Sequence, residues 1–154
     1  DLDYIKHVIK IPSEVKFIEN LEIFINNNKD KIKYQWMFSK IDESFDSKMG
    51  IPYFDEEAND YRNFYPDFIF WIKKENNDYK IVFIDPKGTK NSTYQNKVDG
   101  FEELFLENGK QKVFKYKDFN ITFDLKLVAE DINSVGGKYK KYWLSDNDFS
   151  FLQE

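Results

Sequence analysis

Across residues 12–25 (PSEVKFIENLEIFI) apolar side chains recur at helical spacing: Val15, Phe17, Ile18, Leu21, Phe24 and Ile25 share one side, and Ser13 is the expected N-cap. At about 100° per residue, Glu14 shares the azimuth of Ile18, Leu21 and Ile25, whereas Glu19 and Glu22 turn away from it. Glu14 therefore has two readings, a first-turn acid favoured by the helix dipole or a carboxylate aimed inward. Residues 34–40 (YQWMFSK) predict a strand, and a long polar loop is expected from there to about residue 63. That loop carries Asp42, Glu43, Asp46, Asp55, Glu56, Glu57 and Asp60. These acids lack the regular spacing and turn glycine of a calcium loop, so a solvated loop is the simpler reading.

Two apolar runs, 65–73 (YPDFIFWIK) and 79–85 (YKIVFID), flank a polar KENND turn and predict a hairpin of central strands, the second ended by Gly88. Residues 94–107 then present a helical face of Tyr94, Val98, Phe101, Leu104 and Phe105, with Lys97 at its margin. A basic stretch follows at Lys110, Lys112, Lys115 and Lys117. Residues 121–128 alternate, with Ile121, Phe123, Leu125 and Leu127 on one side, as in a half-buried strand. After a Gly136-Gly137 turn and the run KYKKYW at 138–143, a Ser145-to-Asp148 capping pattern predicts a short last helix. The expected fold class is α/β: a mixed sheet of about four strands flanked by helices, in the order αβββαβ.

Composition narrows the chemistry. The 154 residues, 41% hydrophobic and 33% charged, suit a single domain spanning 1–154. With no cysteine, disulfides, thiolate metal sites and thiol catalysis are excluded. His7 is the only histidine, which all but removes Ser-His-Asp catalysis and multi-histidine metal sites, so any metal must be held by oxygen. No run approaches the roughly 18 apolar residues of a membrane span, and Asp1-Leu2-Asp3 does not open a signal peptide. A soluble, cytoplasmic protein without a membrane partner is expected. The chain starts without methionine, and a fragment of a larger polypeptide is expected. The net charge of −5 argues against a dedicated nucleic-acid-binding surface.

Pro66-Asp67 opens one predicted central strand and Asp85-Pro86-Lys87 closes the other. Composition alone yields an acid-any-lysine tripeptide about four times, and such tripeptides start at Glu14, Asp46, Asp78, Asp85 and Asp124, so context must choose. Asp85 follows the continuous apolar run Ile81-Val82-Phe83-Ile84, where a carboxylate is costly unless paired or metal-bound. Alternation projects Asp85 and Lys87 to one side, and antiparallel pairing of the hairpin brings Asp67 near Asp85. Two carboxylates with the Pro86 carbonyl suit Mg²⁺, and the chemistry expected of such a centre is phosphodiester hydrolysis, with Lys87 orienting water or neutralising charge. The alternative is a structural Asp–Lys pair capping a strand end.

The segments YRNFYPDFIFWI and IVFIDPKGT, in this element order, resemble the PD-(D/E)xK nuclease superfamily. More narrowly, they resemble the C-terminal endonuclease domain of helicase-like type III restriction enzyme subunits, over roughly residues 12–130. The resemblance implies a restriction-endonuclease-like core and a Mg²⁺-dependent DNA endonuclease, Mn²⁺ substituting, with Asp67 and Asp85 as metal ligands and Lys87 as the catalytic lysine. It also implies an acid from the first helix, a slot that Glu14 fits, and a glutamine or lysine from the later helix, Gln95 or, nearer the apolar face, Lys97. Many relatives carry glutamate where this chain has Asp85. The implied partners are double-stranded DNA, an ATP-dependent helicase-like motor in the same polypeptide that supplies most DNA affinity, and a modification or recognition subunit. Lys90, Lys97, the lysines of 110–117 and Lys138, Lys140 and Lys141 are candidate phosphate contacts, and Arg62, the sole arginine, is a candidate phosphate clamp. The competing functions are a catalytically inactive nuclease-fold docking domain and a repair-type exonuclease or junction resolvase.

Overall fold

The computed structural model describes residues 11–42, 44, 47–86, 94–129, 132–135 and 137–154. Helix α1 (Pro12–Asn27) starts with a proline at its first position, where the ring presets φ and no intrahelical N–H is lost. Its N-cap is Ile11 without any side-chain cap, so Ser13 lies inside the first turn rather than capping it. Strands β1 (Gln35–Lys40), β4 (Phe68–Lys73) and β5 (Asp78–Asp85) form an antiparallel run. The chain then passes through helix α2 (Tyr94–Phe105) into β9 (Phe119–Ala129), which lies parallel to β5.

Three expectations change. The region expected to be one loop up to residue 63 contains a separate hairpin, β2 (Ile51–Asp55) and β3 (Asp60–Phe64). Ile51, Tyr53 and Asp55 turn inward while Pro52 and Phe54 turn outward, a two-residue period too short to stand out among the surrounding acids. The main sheet has six strands among the described residues rather than about four, because β8 (Phe114–Tyr116) and a parallel β10 (Trp143–Ser145) join β9. Ser145 thus ends a strand instead of capping a helix. Beyond it the chain forms a single 3₁₀ turn, Ser150–Leu152, whose Ser150 N–H donates to Asp148 Oδ1 at 3.0 Å. A small third pair, β6 (Leu106–Glu107) and β7 (Lys110–Gln111), occupies part of the basic stretch.

Both faces of the sheet are covered. On one, Phe17, Ile18 and Leu21 of α1 pack on Phe68, Phe70, Ile72, Val82 and Ile84, with Phe17 stacked on Phe68 at 5.0 Å between ring centroids. On the other, Val98 and Phe101 of α2 and Ile51, Tyr53 and Phe64 of the hairpin cover Ile69, Phe83, Leu125 and Leu127. Leu104, expected on the apolar side of α2, is exposed. Between β8 and β10, side chains meet the outer edge of β9 at two points. Gln111 donates to the Phe123 carbonyl at 3.1 Å and the Leu125 N–H donates to Asp124 Oδ1 at 2.8 Å, which occupies part of that edge. No helix among the described residues is long and apolar enough to cross a membrane.

Candidate functional site

Strand register assembles the acid pair. Phe68 of β4 pairs with Ile84 of β5 and, on its other side, with Lys40 of β1. One residue beyond, the Ile41 N–H donates to the Asp67 carbonyl at 2.8 Å, while Asp85 pairs with Leu127 and Leu127 with Trp143. Ile41, Asp67, Asp85, Leu127 and Trp143 therefore form one row across the end of the sheet. Ile41, Leu127 and Trp143 belong to the core beneath α2 and the hairpin. Alternation puts Asp67 and Asp85 on that same face, with Cα atoms of neighbouring antiparallel strands about 4.5–5.5 Å apart.

Two carboxylates are thus set in an apolar row, Asp67 7% exposed and Asp85 6%. Both residues have interaction partners. Burial penalises each negative charge and proximity adds mutual repulsion, so the pair calls for positive charge beside it. Pro86, buried, follows Asp85 at the same strand end. Two carboxylates and a carbonyl are hard oxygen donors in the number that Mg²⁺ takes from a protein, leaving its other positions to water and phosphate oxygens. The donor set fits such an ion. Among the described residues no three His, Cys, Asp or Glu side chains gather into a metal-binding group, and Glu14 does not make a third with the pair.

Glu14 does point inward. It is 1% exposed, and its Oε2 accepts a hydrogen bond from Lys40 Nζ at 2.7 Å. Lys40 escaped the sequence reading, although the alternation of Trp36, Phe38 and Lys40 on the side facing α1 is a usable signal for it. Lys97 of α2 is half-buried with its ammonium 4.7 Å from the Phe64 ring centre, three residues before Asp67 and on the face of the two acids. Gln95 is exposed and donates to the Tyr94 hydroxyl at 3.4 Å. Lys87 and Lys90 lie outside the described residues, as do Glu43 and Asp46.

Three of the remaining candidates, Arg62, Lys138 and Lys141, are drawn into intramolecular pairs, whereas Lys110, Lys112, Lys115 and Lys117 are exposed. Arg62 Nε is 3.0 Å from Asp55 Oδ2, and Asp55 Oδ1 accepts the Glu57 and Ala58 N–H groups at 3.0 and 3.2 Å, so this buried acid closes the β2–β3 turn. Lys138 lies 3.0 Å from Asp99 and Lys141 3.2 Å from Glu102, both acids of α2. The 3₁₀ segment Gly137–Tyr142 is thereby fastened to α2, and Tyr142 adds a 2.6 Å hydrogen bond from its hydroxyl to Glu102. Burial and the neighbouring Glu102 carboxylate push the Tyr142 phenol well above its ordinary pKa. Lys140 is exposed on the same segment.

A family model described as the YagJ family matches residues 5–142. The chain belongs to the YagJ family. The match takes in α1, the β4–β5 hairpin with its two acids, α2 and β9, so Asp67 and Asp85 of this YagJ family member lie within the matched region, which stops one residue short of Trp143. No curated protein and no solved structure matches the chain.

Proposed function

We propose that this YagJ family chain is a metal-dependent nuclease domain that hydrolyses DNA phosphodiester bonds, with a restriction-endonuclease-like core and the PD-(D/E)xK arrangement that its sequence resembles. The observation that carries the reading is the adjacency of Asp67 and Asp85, two buried carboxylates in one row at the ends of neighbouring strands, with Lys87 two residues past Asp85. Asp67, Asp85 and the Pro86 carbonyl would hold Mg²⁺ or Mn²⁺. The bound ion supplies Lewis acidity at the phosphate and lowers the pKa of a water.

The chain's own residues do the rest. The apolar neighbours Ile41 and Leu127 restrict water around the carboxylates, which strengthens their hold on any cation. Lys87 orients the attacking water and neutralises charge on the phosphate, and Lys97 supports it from α2. The net charge is −5 and Lys138, Lys141 and Arg62 already serve internal acids, so among the described residues the exposed Lys140 and the lysines of 110–117 are left for holding DNA and give this chain a modest affinity of its own. A motor and a recognition subunit, as in type III restriction enzymes, would supply the rest.

Nicking of supercoiled plasmid at high protein concentration in Mg²⁺, Mn²⁺ or EDTA tests the reading. Metal-dependent nicking, reduced at least about 100-fold in Asp85→Asn and Lys87→Ala and retained in Asp124→Ala, is expected. Equal nicking by wild type and Asp85→Asn would overturn the assigned centre.

A further inference from the structure

The Glu14–Lys40 pair is a poor way to stabilise a fold. Glu14 is almost wholly buried, Oε2 takes the Lys40 ammonium at 2.7 Å, and Oε1 is buried with no hydrogen-bond partner. Burying a charge with half its acceptors unsatisfied is costly, and an apolar pair of the same size is often as stable or more so. Breaches of local rules of this kind concentrate at functional sites. The partner of the buried acid is itself accessible: the Lys40 side chain is 36% exposed. Its ammonium sits 5.6 Å from the centre of the Phe68 ring, the residue after Asp67, and Lys40 is the last residue of β1 at the end of the sheet where Asp67 and Asp85 stand.

A lysine has three N–H donors. Glu14 uses one, and its burial fixes where the ammonium lies; the side chain is 36% exposed as a whole, and the Asp42 carboxylate also feels its charge. We infer that Lys40 is a substrate-positioning residue that contacts a backbone phosphate of DNA beside the acid pair, and that Glu14 serves as its buried anchor. The two acids face α2 while Lys40 faces α1, so the ammonium meets the strand end from the opposite face. It would therefore touch a phosphate next to the scissile one rather than the scissile one itself. The inference rests on the proposed function for its ligand, DNA.

Binding of a mixed-sequence duplex by the 154-residue chain, measured without divalent metal across a salt series, tests it apart from catalysis. Removing one phosphate contact lowers the slope of log affinity against log salt by about 1. Because Lys40→Met alone would strand a buried carboxylate, the informative variant is Glu14→Gln with Lys40→Met, checked for folding by circular dichroism, with Lys40→Arg as the charge-keeping comparison. The expected result is a slope reduced by about 1 in the double variant, restored in Lys40→Arg, and, with Mg²⁺, a raised KM at nearly unchanged kcat. A wild-type slope and KM in the folded double variant would overturn the role of Lys40 while leaving the nuclease reading intact. A reduced slope in a chain that never cuts would retain Lys40 as a DNA contact and remove the nuclease reading. No DNA binding by the wild type at low salt and high protein concentration would overturn the role of Lys40 as a phosphate contact, while the nicking assay would still decide the nuclease reading.

Discussion

Gly100 lies in the middle of α2, where glycine lowers helix stability by about 1 kcal/mol relative to alanine. On helix propensity alone, Gly100→Ala would stabilise the protein. The tertiary structure reverses the sign, because a Cβ at this position would lie 2.4 Å from the Pro52 carbonyl oxygen, 2.8 Å from Tyr53 Cβ and 3.0 Å from Tyr53 Cα. Two of the three are main-chain atoms of β2, so no rotamer change relieves them and the hairpin must move off the helix. Forcing a methyl into a packed contact costs about 1–3 kcal/mol, and the displacement also loosens Ile51, Tyr53 and Phe64 against Val98 and Phe101. Because the clash is with main-chain atoms the upper part of that range applies, about 2–3 kcal/mol; less the gain of about 1 kcal/mol from the helix, the net loss is about 1–2 kcal/mol, or a fall in Tm of about 2–8 °C for a domain of this size. Thermal and urea unfolding, each followed by circular dichroism, would read it. A variant with a Tm equal to or above wild type would refute the close packing of hairpin on helix. Since β3 runs directly into Tyr65-Pro66-Asp67, a destabilised Gly100→Ala should also nick plasmid more slowly than wild type at temperatures where it stays folded.

Asp67→Asn should abolish metal-dependent nicking yet bind duplex DNA in EDTA at least as tightly as wild type, since it removes a negative charge facing phosphate; weaker binding would argue against a substrate position for this acid. Tyr142 gives a pH prediction. Its phenol titrates higher in the folded chain than when unfolded, because of burial first and the Glu102 carboxylate second. Above the unfolded value of about 10, the unfolded state loses a proton that the folded state keeps, so Tyr142 stabilises fully below pH 10 and its contribution falls by about 1.4 kcal/mol per pH unit above it. In urea titrations, Tyr142→Phe should be less stable than wild type at pH 8, for loss of the 2.6 Å bond to Glu102, and the gap should shrink towards pH 11. A constant gap would contradict the burial of the hydroxyl.

Periodicity in the chain was enough to foresee α1, the β4–β5 hairpin, α2 and β9, because each buries a continuous apolar stripe whose spacing is set by its own backbone geometry. It also put Asp67 near Asp85, since a hairpin with a short turn has its register fixed by local residues, and left the inward turn of Glu14 as one of two readings. Tertiary structure alone decided the rest. β2 and β3 are five residues each and have a buried acid, Asp55, that is tolerable only because Arg62 and two turn N–H groups satisfy it. β10 is three residues long and exists because β9 offers it an edge. The same holds for charge: Lys138, Lys141 and Arg62 look free in a linear chain, and Lys40 looks ordinary. Which of them meets an acid depends on which helix is packed across from it, and a repeat of hydrophobic positions says how much surface an element hides without saying what it hides it against.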